Sequence, residues 1–167
     1  MSSEENNLSK KAIELISNWP DNISYPSGDE KTWGKVATFY SSKIGAGSQK
    51  GSLFYVEDER SRLLNIFIMS MCIGKNRGIF SPWESLKNVK PQSNMPKSAL
   101  KEDEIWLMTC VAISHTDSTS VVNDPKQIVS ICEGYANGGI SLLMSWDSKK
   151  ILDQYESELE DLIKKLN

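Results

Sequence analysis

Apolar residues recur along most of this chain at intervals of three and four positions, the spacing of one face of an α-helix. The densest apolar stretch follows Asp58, and from Leu63 to Ile73 it covers nearly the whole circumference of a helix. A helix that is apolar all round belongs at the centre of a domain. We therefore predict a central helix that begins at Asp58 and ends at Gly74.

Capping signals mark several other helix starts. Ser27 and Glu30 have the spacing of a capping box, and so do Ser81 and Glu84, whereas Asp124 precedes a proline and a third-position glutamine. The predicted helices run before Pro20, from Ser27 to Gly45, after Ser81, over Leu100–Ser114, after Asp124 and over 147–167.

A pair of glycines, Gly138 and Gly139, interrupts the apolar pattern between Ile128 and Trp146. Each glycine inside a helix costs roughly 1 kcal/mol relative to alanine, so the pair needs a structural or functional reason. Either two backbones pack closely at this point, or one helix ends and another starts. In the first case Tyr135 is buried and the glycines permit close helix packing.

These elements predict a mainly α fold, a single-domain helical bundle of about six to seven helices. A short extended segment is an option near 53–56 or 119–122, and 90–97 is predicted to be a surface loop. The expected organisation is a flexible N-terminus at 1–8 and one helical domain over 9–167, with N-terminal helices at 9–45, a core at 58–146 and a C-terminal amphipathic helix at 147–167. Whether that last helix packs internally or on a partner stays open.

Composition narrows the classes of function. The 167-residue chain has 19 Lys and Arg against 22 Asp and Glu, a net charge of −3, which argues against a nonspecific nucleic-acid coat but leaves room for a local basic patch. Cys72, Cys110 and Cys132 are far apart in apolar patterns and predict reduced, buried thiols. Neither a secretion signal nor a bilayer-spanning apolar stretch is recognisable, so we expect a soluble, cytoplasmic protein with no membrane contact.

A search for catalytic motifs finds none. His115 is the single histidine, and one histidine with widely spaced cysteines does not make a typical zinc site. It lies at a predicted helix end, where histidines commonly interact with helix carbonyls. A nucleophile elbow and a phosphate-binding loop are both missing from the sequence. We therefore expect no enzymatic activity, no metal and no cofactor.

Binding chemistry has two candidate regions. Lys75, Asn76 and Arg77 lie between two glycines and could contact phosphates and base edges, although a helix C-terminus with solvated charges is an alternative. Trp83, beside a proline at a helix start, is a candidate interface anchor. The candidate interface is completed by the turn that carries Tyr135, Asn137, Gly138 and Gly139.

Three stretches carry a resemblance to a known family: Met71–Gly78, Val111–Asp117 and Glu133–Ile140, the last reading Glu-Gly-Tyr-Ala-Asn-Gly-Gly-Ile. In order and spacing they resemble the small accessory proteins encoded beside bacterial DNA-phosphorothioation (Dnd) modification and restriction genes. The class extends to phage-defence helper subunits, including small middle components of systems built on ABC-type ATPases. Gly134 stands where that family usually has an acidic residue, and Ser114-His115 stands where it has Ala-Glu.

The resemblance implies a noncatalytic accessory subunit of a DNA-targeting antiviral defence complex, working with a large ATPase or nuclease. DNA is an open second partner. Two alternatives remain: a DNA-binding regulator or sensor, which requires one strongly basic face, and a toxin-neutralising immunity protein, which requires an acidic binding surface.

Overall fold

The computed structural model describes residues 17–28, 59–87 and 89–145, together with the single positions 157, 160 and 164. In these ranges the chain forms two antiparallel strands and three α-helices: β1 (Asn22–Gly28), α1 (Glu59–Arg77), β2 (Val89–Pro96), α2 (Glu102–Thr116) and α3 (Pro125–Ser145). Short 3-10 helices cover Trp83–Ser85, Lys97–Ala99 and Thr119–Asn123. The prediction of a bundle of six to seven helices is therefore wrong, because helices here pack with a small sheet.

The sheet pairs two segments whose sequences predicted a helix cap and a surface loop. Strand β1 alternates only briefly, with buried Ile23 and Tyr25 separated by Ser24, and strand β2 is mostly polar, with Pro91 opposite Pro26 and Lys90 opposite Ser27. Proline lacks an amide donor and is tolerated at strand edges, and main-chain hydrogen bonds to a distant partner hold the pair together. The predicted loop at 90–97 is therefore largely strand β2, which ends at Pro96.

Helices α1 and α3 lie side by side and antiparallel at the centre of the described structure. Gly74 of α1 approaches the backbone of Tyr135, while Ser70, one turn earlier, approaches Gly139, one turn later in α3. The prediction that the Leu63–Ile73 stretch forms the core is confirmed. The largest fully buried side chains are Phe67, Ile23, Leu64, Ile66, Met71, Met95, Met108, Ile128, Ile140, Leu143 and Asn137.

Helix α1 ends later than the sequence predicted. It continues through Gly74 to Arg77, and Gly78 follows it with a φ of 67°. The Ile79 amide donates to the Gly74 carbonyl at 2.8 Å and the Gly78 amide donates to the Lys75 carbonyl at 3.2 Å. These two bonds define a Schellman motif, so Gly78 rather than Gly74 is the terminating glycine.

Two other helix predictions, the cap at Asp124 and the continuity of the helix at the glycine pair, can be compared with the structure directly. Asp124 caps α3, since its Oδ1 accepts the Gln127 amide at 3.1 Å. Helix α3 then runs without a break through Gly138 and Gly139, so close backbone packing, the first of the two alternatives, is the correct one. The 119–122 segment is 3-10 helix rather than extended chain.

Several predictions lie outside the described residues, or almost so. They are the flexible 1–8 segment, the helix before Pro20 except at Ser17, the helix from Ser27 to Gly45, the extended option at 53–56 and most of 147–167. In the last of these, Ser157, Glu160 and Lys164 are helical, and the Glu160 carboxylate lies 3.7 Å from the Lys164 ammonium group. Across the described helices, none combines the length and apolarity needed to cross a bilayer.

Candidate functional site

The segment that follows α1, residues 79–83, lies across one face of α3. The Ser81 amide donates to the Gly134 carbonyl at 2.9 Å, and the Asn137 Nδ2 donates to the Ser81 carbonyl at 3.3 Å. Trp83 donates its indole Nε1 to Glu133 Oε2 at 2.7 Å. Residues 133, 134 and 137 share one helix face, so this part of the Glu-Gly-Tyr-Ala-Asn-Gly-Gly sequence is a docking surface for the chain's own segment.

Glu133 connects three elements from a buried position. Its side chain is 8% exposed, and Oε1 accepts the Ser24 amide of β1 at 2.7 Å while Oε2 accepts the Trp83 indole. Burial raises the pKa of the Glu133 carboxyl, and the hydrogen bonds from Trp83 and Ser24 act in the opposite direction. Glu133 thus orients β1 and residues 79–83 against α3, with both carboxylate oxygens occupied.

The glycine pair and its neighbour Asn137 are buried within the chain. A Cβ atom on Gly138 would lie 2.2 Å from the Ile79 carbonyl oxygen, and one on Gly139 would lie 1.9 Å from that of Ser70. Asn137 is 1% exposed, and its Oδ1 has no hydrogen-bond partner in the described chain. These three candidate interface residues therefore contact the chain's own backbone and do not line its surface.

A cluster of polar and aromatic side chains lies beside this packed face. We call it the Tyr135 cluster, and it consists of Lys75, Phe80, His115 and Tyr135. The Tyr135 hydroxyl lies 3.0 Å from His115 Nδ1 and 3.5 Å from Lys75 Nζ, and the Lys75 ammonium lies 5.1 Å from the Tyr135 ring centroid. The Phe80 ring lies 4.6 Å from the His115 ring and 5.0 Å from the Tyr135 ring, measured between centroids.

Each member of the Tyr135 cluster is positioned by a different element. Lys75 lies in the last turn of α1, and Phe80 follows the Schellman turn. His115 lies in the last turn of α2, and Tyr135 lies in the middle of α3. The cluster exists because the Gly74 backbone comes close to the Tyr135 backbone, which brings the C-terminal end of α1 onto α3.

Exposure differs strongly within the Tyr135 cluster. Tyr135 is 7% exposed and supports the other members, whereas Phe80 is 37% exposed and His115 is exposed. The adjacent Ile79 is 39% exposed. The result is a surface of exposed imidazole and aromatic ring with the half-buried Lys75 cation in the same cluster.

The remaining candidate binding residues, Lys75 to Arg77 and Trp83, differ in their secondary structure and exposure. Lys75, Asn76 and Arg77 belong to a helical turn rather than a loop, and both Asn76 and Arg77 interact with other groups of the chain. Asn76 is half-buried and Arg77 is exposed. Trp83 is half-buried and its indole nitrogen is bound to Glu133.

The sequence did not single out Phe80, and it treated His115 only as a helix-end residue. Neither position carries a motif, because the side chains meet through packing between elements far apart along the chain. The run of apolar residues directly after the glycine at the end of α1 was the one available signal for Phe80.

The cysteines are less uniform than predicted. Cys132 is buried and its Sγ lies 3.4 Å from the Met108 carbonyl oxygen, which it meets as a weak donor. Cys72 is half-buried, but Cys110 is exposed, so the prediction of three buried thiols is wrong at that position. Burial raises the pKa of the Cys72 and Cys132 thiols, and for Cys132 the charges of Glu133 and Cys72 add to the effect.

Metal-binding geometry is not found in the described ranges: no three His, Cys, Asp or Glu side chains gather there into a possible ion site.

This chain matches no protein-family model, no curated protein and no solved structure.

Proposed function

We propose that this chain is a noncatalytic accessory subunit of a bacterial DNA-targeting antiviral defence complex, working with a large ATPase or nuclease. The proposal comes from the order and spacing of the three stretches that resemble small accessory proteins of such systems. They are Met71–Gly78, Val111–Asp117 and Glu133–Ile140.

One observation supports the proposal most. The three stretches are far apart in sequence, yet each contributes one residue to the Tyr135 cluster, where Lys75 and His115 both contact Tyr135. Residues from all three stretches therefore lie in one part of the molecule, which supports reading them as one surface.

The surroundings of two reactive groups, Glu133 and Cys132, support a noncatalytic role. Both oxygens of Glu133 accept hydrogen bonds that hold the fold together, and the Cys132 thiol is buried. A catalytic nucleophile or base needs access to a substrate and a pKa suited to the reaction. Burial raises the pKa of the Cys132 thiol, which disfavours the reactive thiolate.

The proposal is tested by affinity purification of the tagged full chain from its native host, followed by mass spectrometry. We expect a large ATPase or nuclease, encoded close to this chain, in stoichiometric yield. A single small basic protein in stoichiometric yield would contradict the proposal and favour an immunity protein. Recovery of the chain with neither an ATPase nor a nuclease would also contradict it.

A further inference from the structure

We propose that the Tyr135 cluster, Lys75, Phe80, His115 and Tyr135, is a binding site for single-stranded DNA. Lys75 contacts a phosphate, and an unpaired base stacks on the exposed aromatic surface of Phe80 and His115. The inference deepens the proposed function by assigning this chain its own DNA contact, and it rests on that function for the choice of DNA over RNA.

The cation of the site is available to a phosphate. The Lys75 ammonium lies against the Tyr135 hydroxyl and ring, and it forms no ion pair with any carboxylate in the described part of the chain. Contact with Tyr135 restrains the lysine without neutralising its charge. A restrained, uncompensated cation loses less conformational entropy when it meets a phosphate oxygen.

The imidazole is oriented by its neighbours. His115 Nδ1 lies 3.0 Å from the Tyr135 hydroxyl, and its ring packs on Phe80 with an interplanar angle of 36°. The Nδ1 contact leaves the second ring nitrogen, Nε2, for a ligand, and the residue as a whole is exposed. Imidazole Nε2 can donate to a phosphate oxygen or meet a base edge.

The aromatic surface decides between classes of ligand. Phe80 is 37% exposed although its ring contacts the rings of His115 and Tyr135, so part of it faces solvent, and the Lys75 ammonium contacts the same Tyr135 ring. Every base has a π-face that can stack on such a ring, and single-strand binding proteins combine stacking aromatic side chains with positively charged groups that follow the phosphates. Single-stranded rather than duplex DNA fits, because bases in a duplex are already stacked on each other.

The test uses the purified full chain and a fluorescein-labelled oligo-dT of about a dozen nucleotides, within the usual size range of single-strand sites. Fluorescence anisotropy is recorded at several salt concentrations. Phe80→Leu keeps an apolar side chain against Gly134 but removes the stacking ring. Leu107→Ala is the matched control, because Leu107 is also 37% exposed but lies on α2 and outside the Tyr135 cluster.

We expect Phe80→Leu to bind the oligonucleotide about tenfold more weakly, an effect toward the lower end of the range for one lost stacked base. Phe80→Trp should retain the affinity, and Leu107→Ala should bind as the unsubstituted chain does. Lys75→Gln should reduce the slope of log affinity against log salt by about 0.7, the contribution of one phosphate on a single strand. Circular dichroism of each variant checks that the fold is intact.

Two results would overturn the inference. One is failure of the unsubstituted chain to bind the oligonucleotide at low salt. The other is unchanged affinity in Phe80→Leu, and if that variant also lost the ATPase or nuclease partner, the surface would be a protein-docking site. Because the oligonucleotide test uses the chain alone and partner capture uses the native host, failure of this inference is distinguishable from failure of the proposed function.

Discussion

Replacing Gly139 with alanine places a methyl group where the main chains of α1 and α3 touch. The new Cβ would lie 1.9 Å from the Ser70 carbonyl oxygen and 2.7 Å from the Gly74 amide nitrogen. Both are main-chain atoms, so no side-chain rotation relieves the overlap. Ordinary van der Waals contact begins near 3.4 Å, so the contact with Ser70 must lengthen by about 1.5 Å and the two central helices must separate.

The free-energy cost follows from two opposing terms. Overpacking of a well-packed site costs about 1–3 kcal/mol, and contact between two backbones places Gly139→Ala near the upper end. Alanine restores about 1 kcal/mol of helix propensity relative to glycine. We therefore expect the free energy of unfolding to fall by about 2 kcal/mol. For a urea m-value of about 2 kcal/mol/M, the midpoint would fall by about 1 M.

Gly134→Ala is the matched control in the same helix. There a Cβ would lie 2.4 Å from a ring atom of Phe80, a partly exposed side chain that can move away. The gain in helix propensity offsets much of the cost, so the change should stay below about 1 kcal/mol. Urea unfolding followed by circular dichroism measures both variants. Unchanged stability in Gly139→Ala, or a larger loss in Gly134→Ala than in Gly139→Ala, would refute the close-packing argument.

Three further predictions concern capping, thiol access and a buried acid. Asp124→Ala removes the cap of α3 and should lower the free energy of unfolding by about 1 kcal/mol in the same urea assay; no loss would show that the cap is dispensable. Alkylation of the native chain followed by mass spectrometry should label exposed Cys110 before buried Cys132, and the reverse order would contradict the packing. The Glu133 carboxyl has a raised pKa in the folded chain, so the stability it contributes is lost as pH rises from its ordinary value of 4.5 through the folded-state value. The free energy of unfolding of the unsubstituted chain relative to Glu133→Gln should therefore fall as pH rises in that window, and a difference independent of pH would contradict the burial of this charge.

Local signals in the sequence were enough to place the main helices. The cap at Asp124 involves residues within one helical turn, and the apolar circumference of Leu63–Ile73 requires burial wherever the helix lies. The glycine pair indicated an unusual position in the sequence, with close backbone packing as one of two explanations. The structure agrees with that explanation, because α3 runs unbroken past Gly138 and Gly139.

The sheet and the Tyr135 cluster depend on contacts that no local pattern encodes. Strand β2 carries prolines and polar residues, and it is a strand because β1 pairs with it across a long sequence separation. The sequence predicted Gly74 as a helix terminator. In the structure its missing side chain instead lets the backbones of α1 and α3 come close. Phe80 and His115 meet only because that approach fixes the end of α1 against α3 and α2.

The most direct test of the proposed role in antiviral defence is phage plating on the native host. Deletion of the gene for this chain should raise the plating efficiency of phage to that of a host lacking the neighbouring ATPase or nuclease gene. A plasmid copy of the unsubstituted chain should restore protection. Unchanged protection after deletion would contradict the assignment of this chain to a defence complex.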